Sequence, residues 1–192
     1  MKKDIILAGV GGQGILSIAA IIGTAAMDAG LYLKQAEVHG MSQRGGDVQS
    51  NLRLSDKPVA SDLIPRGQAD MIISVEPMEA LRYISMLSES GWLITNSTPY
   101  VNIKNYPDID KIYDEIKTLP RHIIIDADSI AKDLGNKRAA NMVILGAALP
   151  FLGMEIGLFR DAISTIFGNK GDDVVKLNID ALQAGMDFSS KP

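Results

Sequence analysis

Asp4-Ile5-Ile6-Leu7-Ala8-Gly9-Val10-Gly11-Gly12-Gln13-Gly14 is the stretch that decides the fold. It is a short unbroken apolar run that dissolves into glycines, the pattern of a strand buried on both faces of a parallel sheet. Ile15 to Ala29 follows with Ile15, Ile18, Ala19, Ile22, Ala25 and Ala26 at helical spacing, and Gly30 stands where a C-terminal cap belongs. Strand, tight turn and helix make the first half of a βαβ unit, a Rossmann-like start.

Leu31 to Val38 reads as the second strand. Val48 to Leu54 alternates like a strand with one wet face, able to run antiparallel. Asp70 to Val75 and Trp92 to Thr95 are further strands, separated by a helix over Met78 to Leu87 with Pro77 in its first turn. The stretch Pro99 to Pro107 reads as a loop, Tyr113 to Leu119 as a helix and His122 to Asp126 as the last strand. After that, Ser129–Leu134, Asn141–Phe151, Gly157–Phe167 and Val174–Gly185 all read as helices. The expectation is a three-layer α/β/α domain spanning residues 1–192, with a mostly parallel, mixed sheet and a helical C-terminal third.

Bulk properties narrow the function. At 192 residues, 46% hydrophobic and 22% charged, the chain can bury a sizeable core. A net charge of −4 gives no electrostatic reason to expect nucleic acid or an anionic membrane as partner. The absence of cysteine excludes disulfides and thiolate ligation of zinc or an iron–sulfur cluster by this chain. Lys2 and Lys3 ahead of the apolar run Ile15–Met27 imitate a secretory signal, but Asp4 and the glycine-rich, Gln13-containing stretch interrupt it. The expected location is the cytoplasm.

Gly9-Val10-Gly11-Gly12-Gln13-Gly14 matches G-x-G-x-x-G in the right context, after a strand and before a helix. Glycine lets the backbone turn tightly and approach a ligand, while a helix start offers free N–H groups and partial positive charge to an anion. Dinucleotide sites also use an acid near the end of the second strand, and Glu37 follows Gly14 by 23 residues. A stand-alone NAD(P)- or flavin-binding oxidoreductase is therefore one reading.

The loop after Glu37 points elsewhere. Val38-His39-Gly40-Met41-Ser42-Gln43-Arg44-Gly45-Gly46 packs polar groups between glycines at the carboxyl end of a strand, the edge where ligands sit in open parallel sheets. Arg44 beside Gly45-Gly46 suits a carboxylate or phosphate, because its planar fork pairs bidentately and the glycines clear space. His39 and His122, the only histidines, lack the neighbours a metal site needs, and no G-x-S-x-G elbow is present.

Taken together, Gly9–Gly14 and Glu37–Gly46 resemble the paired loops of the gamma-type subunit or domain of the 2-oxoacid:ferredoxin oxidoreductases. Two weaker echoes are Asn141-Met-Val-Ile-Leu-Gly146-Ala and Lys176-Leu-Asn178-Ile-Asp-Ala181 with Gly185. A free-standing chain of this length is most similar to the small beta subunit of the indolepyruvate branch. The resemblance implies oxidative decarboxylation of an arylpyruvate, with coenzyme A as acyl acceptor and ferredoxin as electron acceptor. It implies that thiamine diphosphate, magnesium and the iron–sulfur clusters sit on a large alpha subunit, with no cofactor or metal bound by this chain alone and no catalytic residue of its own. The site residues it implies are Gly9, Gly11, Gly12, Gln13, Gly14, Glu37, His39, Gly40, Ser42, Gln43, Arg44, Gly45 and Gly46, as loops facing ligand or partner. A module whose loops serve only a subunit interface is the third reading.

Overall fold

The computed structural model describes residues 1–40 and 45–190, apart from the side chain of His39. Its strands are β1 (Lys2–Val10), β2 (Tyr32–His39), β3 (Asp47–Ser55), β4 (Ala69–Ser74), β5 (Leu87–Asn96) and β6 (His122–Ile125). The helices are α1 (Ile15–Asp28), α2 (Pro77–Arg82), α3 (Ile109–Lys117), α4 (Ala127–Asp133), α5 (Ala140–Leu152), α6 (Ile156–Phe167) and α7 (Asp172–Ser189). They build one six-stranded sheet in the order β2-β3-β1-β4-β5-β6 between helical layers.

The continuous apolar runs serve two cores because side chains alternate across a strand. Ile5, Leu7, Met71, Ile73 and Ile94 face the core shared with α1, α5, α6 and α7. Ile6, Ile72 and Leu93 face the opposite core, completed by Ile112 and Ile116 of α3 and by Ile64. Burying each such side chain contributes about 2 kcal/mol, so the sheet centre anchors the domain.

β1, β4, β5 and β6 are parallel, and β3 is antiparallel to both of its neighbours. The antiparallel orientation anticipated for Val48–Leu54 is thus realised, with a consequence the linear reading did not foresee. β3 wedges between β1 and β2, so the helix-linked strands of the opening unit are not adjacent. Gly30 caps α1 as expected: its N–H reaches the Met27 carbonyl and the Leu31 N–H the Ala26 carbonyl, both at 2.9 Å.

Three expected boundaries between β4 and β6 are displaced by four residues or more. The helix placed over Met78–Leu87 ends at Arg82, and a 3-10 turn at Ile84–Met86 leads into β5, which starts at Leu87 rather than Trp92. The pairing of β4 with β5 is irregular between Ala69 and Met71, and a Cβ on Gly91 would lie 2.9 Å from the Ala69 carbonyl oxygen. Glycine is there to allow a close backbone approach inside the strand. The helix expected to begin at Tyr113 begins at Ile109, where the Asp108 carboxylate accepts the Asp110 N–H at 3.1 Å.

The C-terminal third is more than cover. α5 buries residues Met142 to Leu149 without a break, and Phe151 stacks on Trp92 of β5 with ring centroids 3.8 Å apart. α7 packs on α5, and α6 on α1. Among the described residues, no helix is long and apolar enough to cross a membrane.

Candidate functional site

The glycine turn sits at the carboxyl end of β1. A Cβ on Gly9 would come within 2.3 Å of Val75 Cγ2 and 2.8 Å of Ile15 Cδ1, so only glycine lets β1, the end of β4 and α1 converge. Gly14 adopts φ +82°, the left-handed region that favours glycine, and starts α1 with no side-chain cap. Gln13 closes the turn on itself. Its N–H donates to the Val10 carbonyl at 3.1 Å, and its Oε1 accepts the Val10 N–H at 2.8 Å.

The second loop returns directly onto this turn. The Gly11 N–H donates to the Gly46 carbonyl at 2.9 Å, the Gly45 N–H to the Gly11 carbonyl at 3.4 Å, and the Gly40 N–H to the Asp47 carbonyl at 2.9 Å. The two glycine segments, distant in sequence, are therefore one surface at the carboxyl edge of the sheet. Met41, Ser42, Gln43, Arg44 and the side chain of His39 lie outside the described residues.

Glu37 is not brought to the turn. It pairs across β3 with Ser50, which in turn pairs with Leu7, so it stands two strands from β1, level with a residue two places before Gly9. Two strand spacings amount to roughly 9.6 Å. The close acid that a dinucleotide-binding turn uses for ribose is therefore not supplied by Glu37, and the insertion of β3 is the reason. His122 is tied into the fold: its Nδ1 lies 2.8 Å from the Leu119 carbonyl.

Beside the turn opens a cleft of about 580 Å³. Gly12, Gln13, Gly14 and Ser17 line one side, with Asn96 at the end of β5 and Asp128 in the first turn of α4. Asn96 is held rigidly, donating to Asp128 at 2.7 Å and accepting the Ala127 N–H at 3.1 Å. The opposite wall comes from the C-terminal third: Lys137, Arg138, Asn141, Lys170 and Asn178. Asn141 bridges the walls, its amide donating to the Gly14 carbonyl at 3.2 Å. Three cations against one carboxylate, beside an uncapped helix start, suit the cleft to an anion.

Reading the sequence alone finds the glycine turn and flags Asn141 and Asn178, but misses Asn96, Asp128 and the three cations. The available signal was the run Asn136-Lys137-Arg138 between two apolar helices, which also reads as ordinary helix-end chemistry. Among the described residues, no three His, Cys, Asp or Glu side chains cluster as a metal site requires.

A mixed sheet with an antiparallel strand wedged beside β1, and a glycine turn hydrogen-bonded to a second glycine loop, define a three-layer α/β/α domain with a Rossmann-like start. Residues 4–188 match the family model described as pyruvate ferredoxin/flavodoxin oxidoreductase, and the chain belongs to that family. It is 39% identical to the indolepyruvate oxidoreductase subunit IorB of Archaeoglobus fulgidus, over 96% of this chain and 94% of that one. To the subunit of the same name from Pyrococcus horikoshii it is 40% identical over 77% of each. The crystal structure of the keto/oxoacid ferredoxin oxidoreductase gamma subunit from Geobacter sulfurreducens superposes with a TM-score of 0.70 at 25% identity, covering 97% of this chain and 98% of that one.

Proposed function

We propose that this chain is the cluster-free subunit of an indolepyruvate-type 2-oxoacid:ferredoxin oxidoreductase, a single gamma-type domain that assists oxidative decarboxylation of an arylpyruvate. The observation that carries this reading is the hydrogen-bonded junction of Gly11 with Gly45 and Gly46, which makes the two glycine loops one surface beside a cationic cleft. Relatives named for indolepyruvate over nearly the whole chain support the substrate class.

In the overall reaction the bond between the keto carbon and the carboxylate breaks and carbon dioxide leaves. The acyl carbon passes to the coenzyme A sulfur, the thiol gives up its proton, and the electron pair goes to ferredoxin. Thiamine diphosphate with magnesium supplies the carbanion chemistry and iron–sulfur clusters carry the electrons. The clusters belong on a large alpha subunit, since this chain has no cysteine to ligate them. Thiamine diphosphate goes there too, since the chain has no Gly-Asp-Gly followed by an Asn-containing segment to hold its metal. The part left to this chain is to bind and orient. The face made by Gly9–Gly14, Gly40, Gly45 and Gly46 meets the partner, with Glu37, His39, Ser42, Gln43 and Arg44 alongside it in the chain. Lys137, Arg138 and Lys170, with Arg44, take the anionic end of coenzyme A. The assembly works in the cytoplasm and is inactive without the large subunit.

The test is co-expression with the candidate large subunit. A purified complex that reduces ferredoxin with indolepyruvate only when coenzyme A is present, while neither chain does so alone, is the expected result. An isolated chain that binds NAD(H) or FAD stoichiometrically by calorimetry sinks the proposal in favour of a nucleotide enzyme.

A further inference from the structure

Residues 97–107, which in sequence look like a plain connection, are pinned at two points by one buried carboxylate. Glu76 is fully buried at the end of the turn after β4. It accepts the Glu79 N–H at 2.8 Å, which caps α2, and also the Tyr100 N–H at 3.2 Å and the Tyr106 hydroxyl. Burying a carboxylate is expensive unless donors surround it, and capping a helix of six residues does not require the burial. What the acid adds is the fixed geometry of the segment between Tyr100 and Tyr106.

In the middle of that segment, Asn102 Nδ2 donates to the Gly45 carbonyl at 2.5 Å. Gly45 in turn donates to Gly11, and Gly46 accepts from it. A second support grips the next residue: the Tyr83 hydroxyl lies 2.9 and 2.7 Å from the two Asp47 carboxylate oxygens. Arg82 binds both oxygens of Glu79, at 2.6 and 3.0 Å, and lies 4.0 Å from Asp47. Hydrogen bonds thus fix the segment to the buried acid at Tyr100 and Tyr106, and Asn102, on the backbone between them, bonds the junction of the two glycine loops.

We infer that residues 97–107 form a strut in which Glu76 and Tyr106 fix the base, and Asn102 is the positioning residue that sets Gly45–Gly46 against the glycine turn. The strut rests on the reading of that junction as the face serving coenzyme A and the partner subunit. Asn102 is solvent-exposed, so removing its amide strands no buried group and should cost at most one exposed hydrogen bond, leaving the protein folded.

The experiment uses the complex with its large subunit and the variants Asn102→Ala, Tyr106→Phe and the double. Hydrogen exchange is followed at the Gly11, Gly40 and Gly45 amides. The KM for coenzyme A and the dissociation constant of the subunits are measured alongside. The strut predicts faster exchange in N102A and a rise of about three- to tenfold in one of the two constants, the worth of one hydrogen bond. Y106F should produce the same change from a distance, and the double variant should cost no more than N102A. Unchanged exchange in N102A overturns the strut. Additive effects overturn the coupling between Tyr106 and Asn102. Faster exchange with both constants unchanged overturns the proposal through the functional reading beneath it, and that outcome is distinct from the first two.

Discussion

A Cβ built on Gly185 of α7 would lie 1.9 Å from the carbonyl oxygen of Val143 on α5, and one built on Gly146 would lie 2.0 Å from the carbonyl oxygen of Leu182. The helices therefore meet backbone to backbone, with no side chain between them. Because the contact is to main chain, no rotamer change relieves a clash there. This packing carries α7 against α5 so that Asn141 and Asn178 both line the cleft.

Gly146→Ala and Gly185→Ala each force the helices apart. The expected cost is about 3 kcal/mol, the upper end of overpacking penalties, read as a lower urea midpoint with an unchanged slope. A cost below about 0.5 kcal/mol, the range of ordinary surface changes, would show that the helices yield easily and that the close approach is not needed.

These glycines also show where the sequence was legible. Asn141–Gly146 and Asn178–Gly185 stand out as motifs, yet nothing local says that they answer each other across a helix pair. The strands of β1 and β4 were readable because burial on both faces writes itself as a continuous apolar run. The antiparallel sense of β3 was readable from alternation, but its place between β1 and β2 was not, since a pairing partner leaves no local mark. The start of β5 was hidden because Ser88, Glu89 and Ser90 precede Gly91 and imitate a turn. Glu76 and the cations at Lys137 and Arg138 gain meaning only from what surrounds them.

Asn141 ties the cleft walls together through the Gly14 carbonyl. Its side chain also occupies the space beside Gly14, where an added Cβ would come within 2.5 Å of Nδ2. Asn141→Ala should cost about 1 kcal/mol of stability, the net worth of one hydrogen bond. Asn141→Asp removes the donor and sets a carboxylate against a carbonyl, so it should cost more. Chemical denaturation of the three proteins checks the order. Equal stability of all three would mean that the bond does not hold the start of α1.

Asp4 is fully buried at the opposite end of β1. Arg53 grips both of its oxygens, at 2.8 and 3.1 Å, and also donates to the Ser61 and Leu63 carbonyls, tying down the segment that inserts Ile64 into the core. Burial pushes the Asp4 carboxyl up, but Arg53 and Lys2 outweigh it and hold it below the ordinary value. A depressed carboxyl contributes stability above its unfolded pKa of about 3.9 and loses it as pH falls through the folded value. Arg53→Met should cost about 3 kcal/mol at neutral pH, because it leaves a buried charge short of its partner. The gap from the parent protein should narrow below pH about 4, where the parent loses this contribution. A gap independent of pH would assign the loss to the carbonyl contacts of Arg53 instead.

The cleft cations offer the most direct test of what this surface binds. Lys137, Arg138 and Lys170 face the same space as Gly12 and Gly14, so an anion seated there gains from each. Substituting any one by Ala should raise the KM for coenzyme A about three- to tenfold at low salt, with kcat preserved at saturation. Because the cleft is open to solvent, the effect should shrink as ionic strength shortens the screening length. Lys176, which pairs with Asp180 at 2.5 Å, is the control, since it lies outside this cleft and its loss should leave the KM unchanged. If all four alanine variants behave alike, the cleft is not where the anionic end of coenzyme A sits, and the remaining basis for that contact in this chain is Arg44.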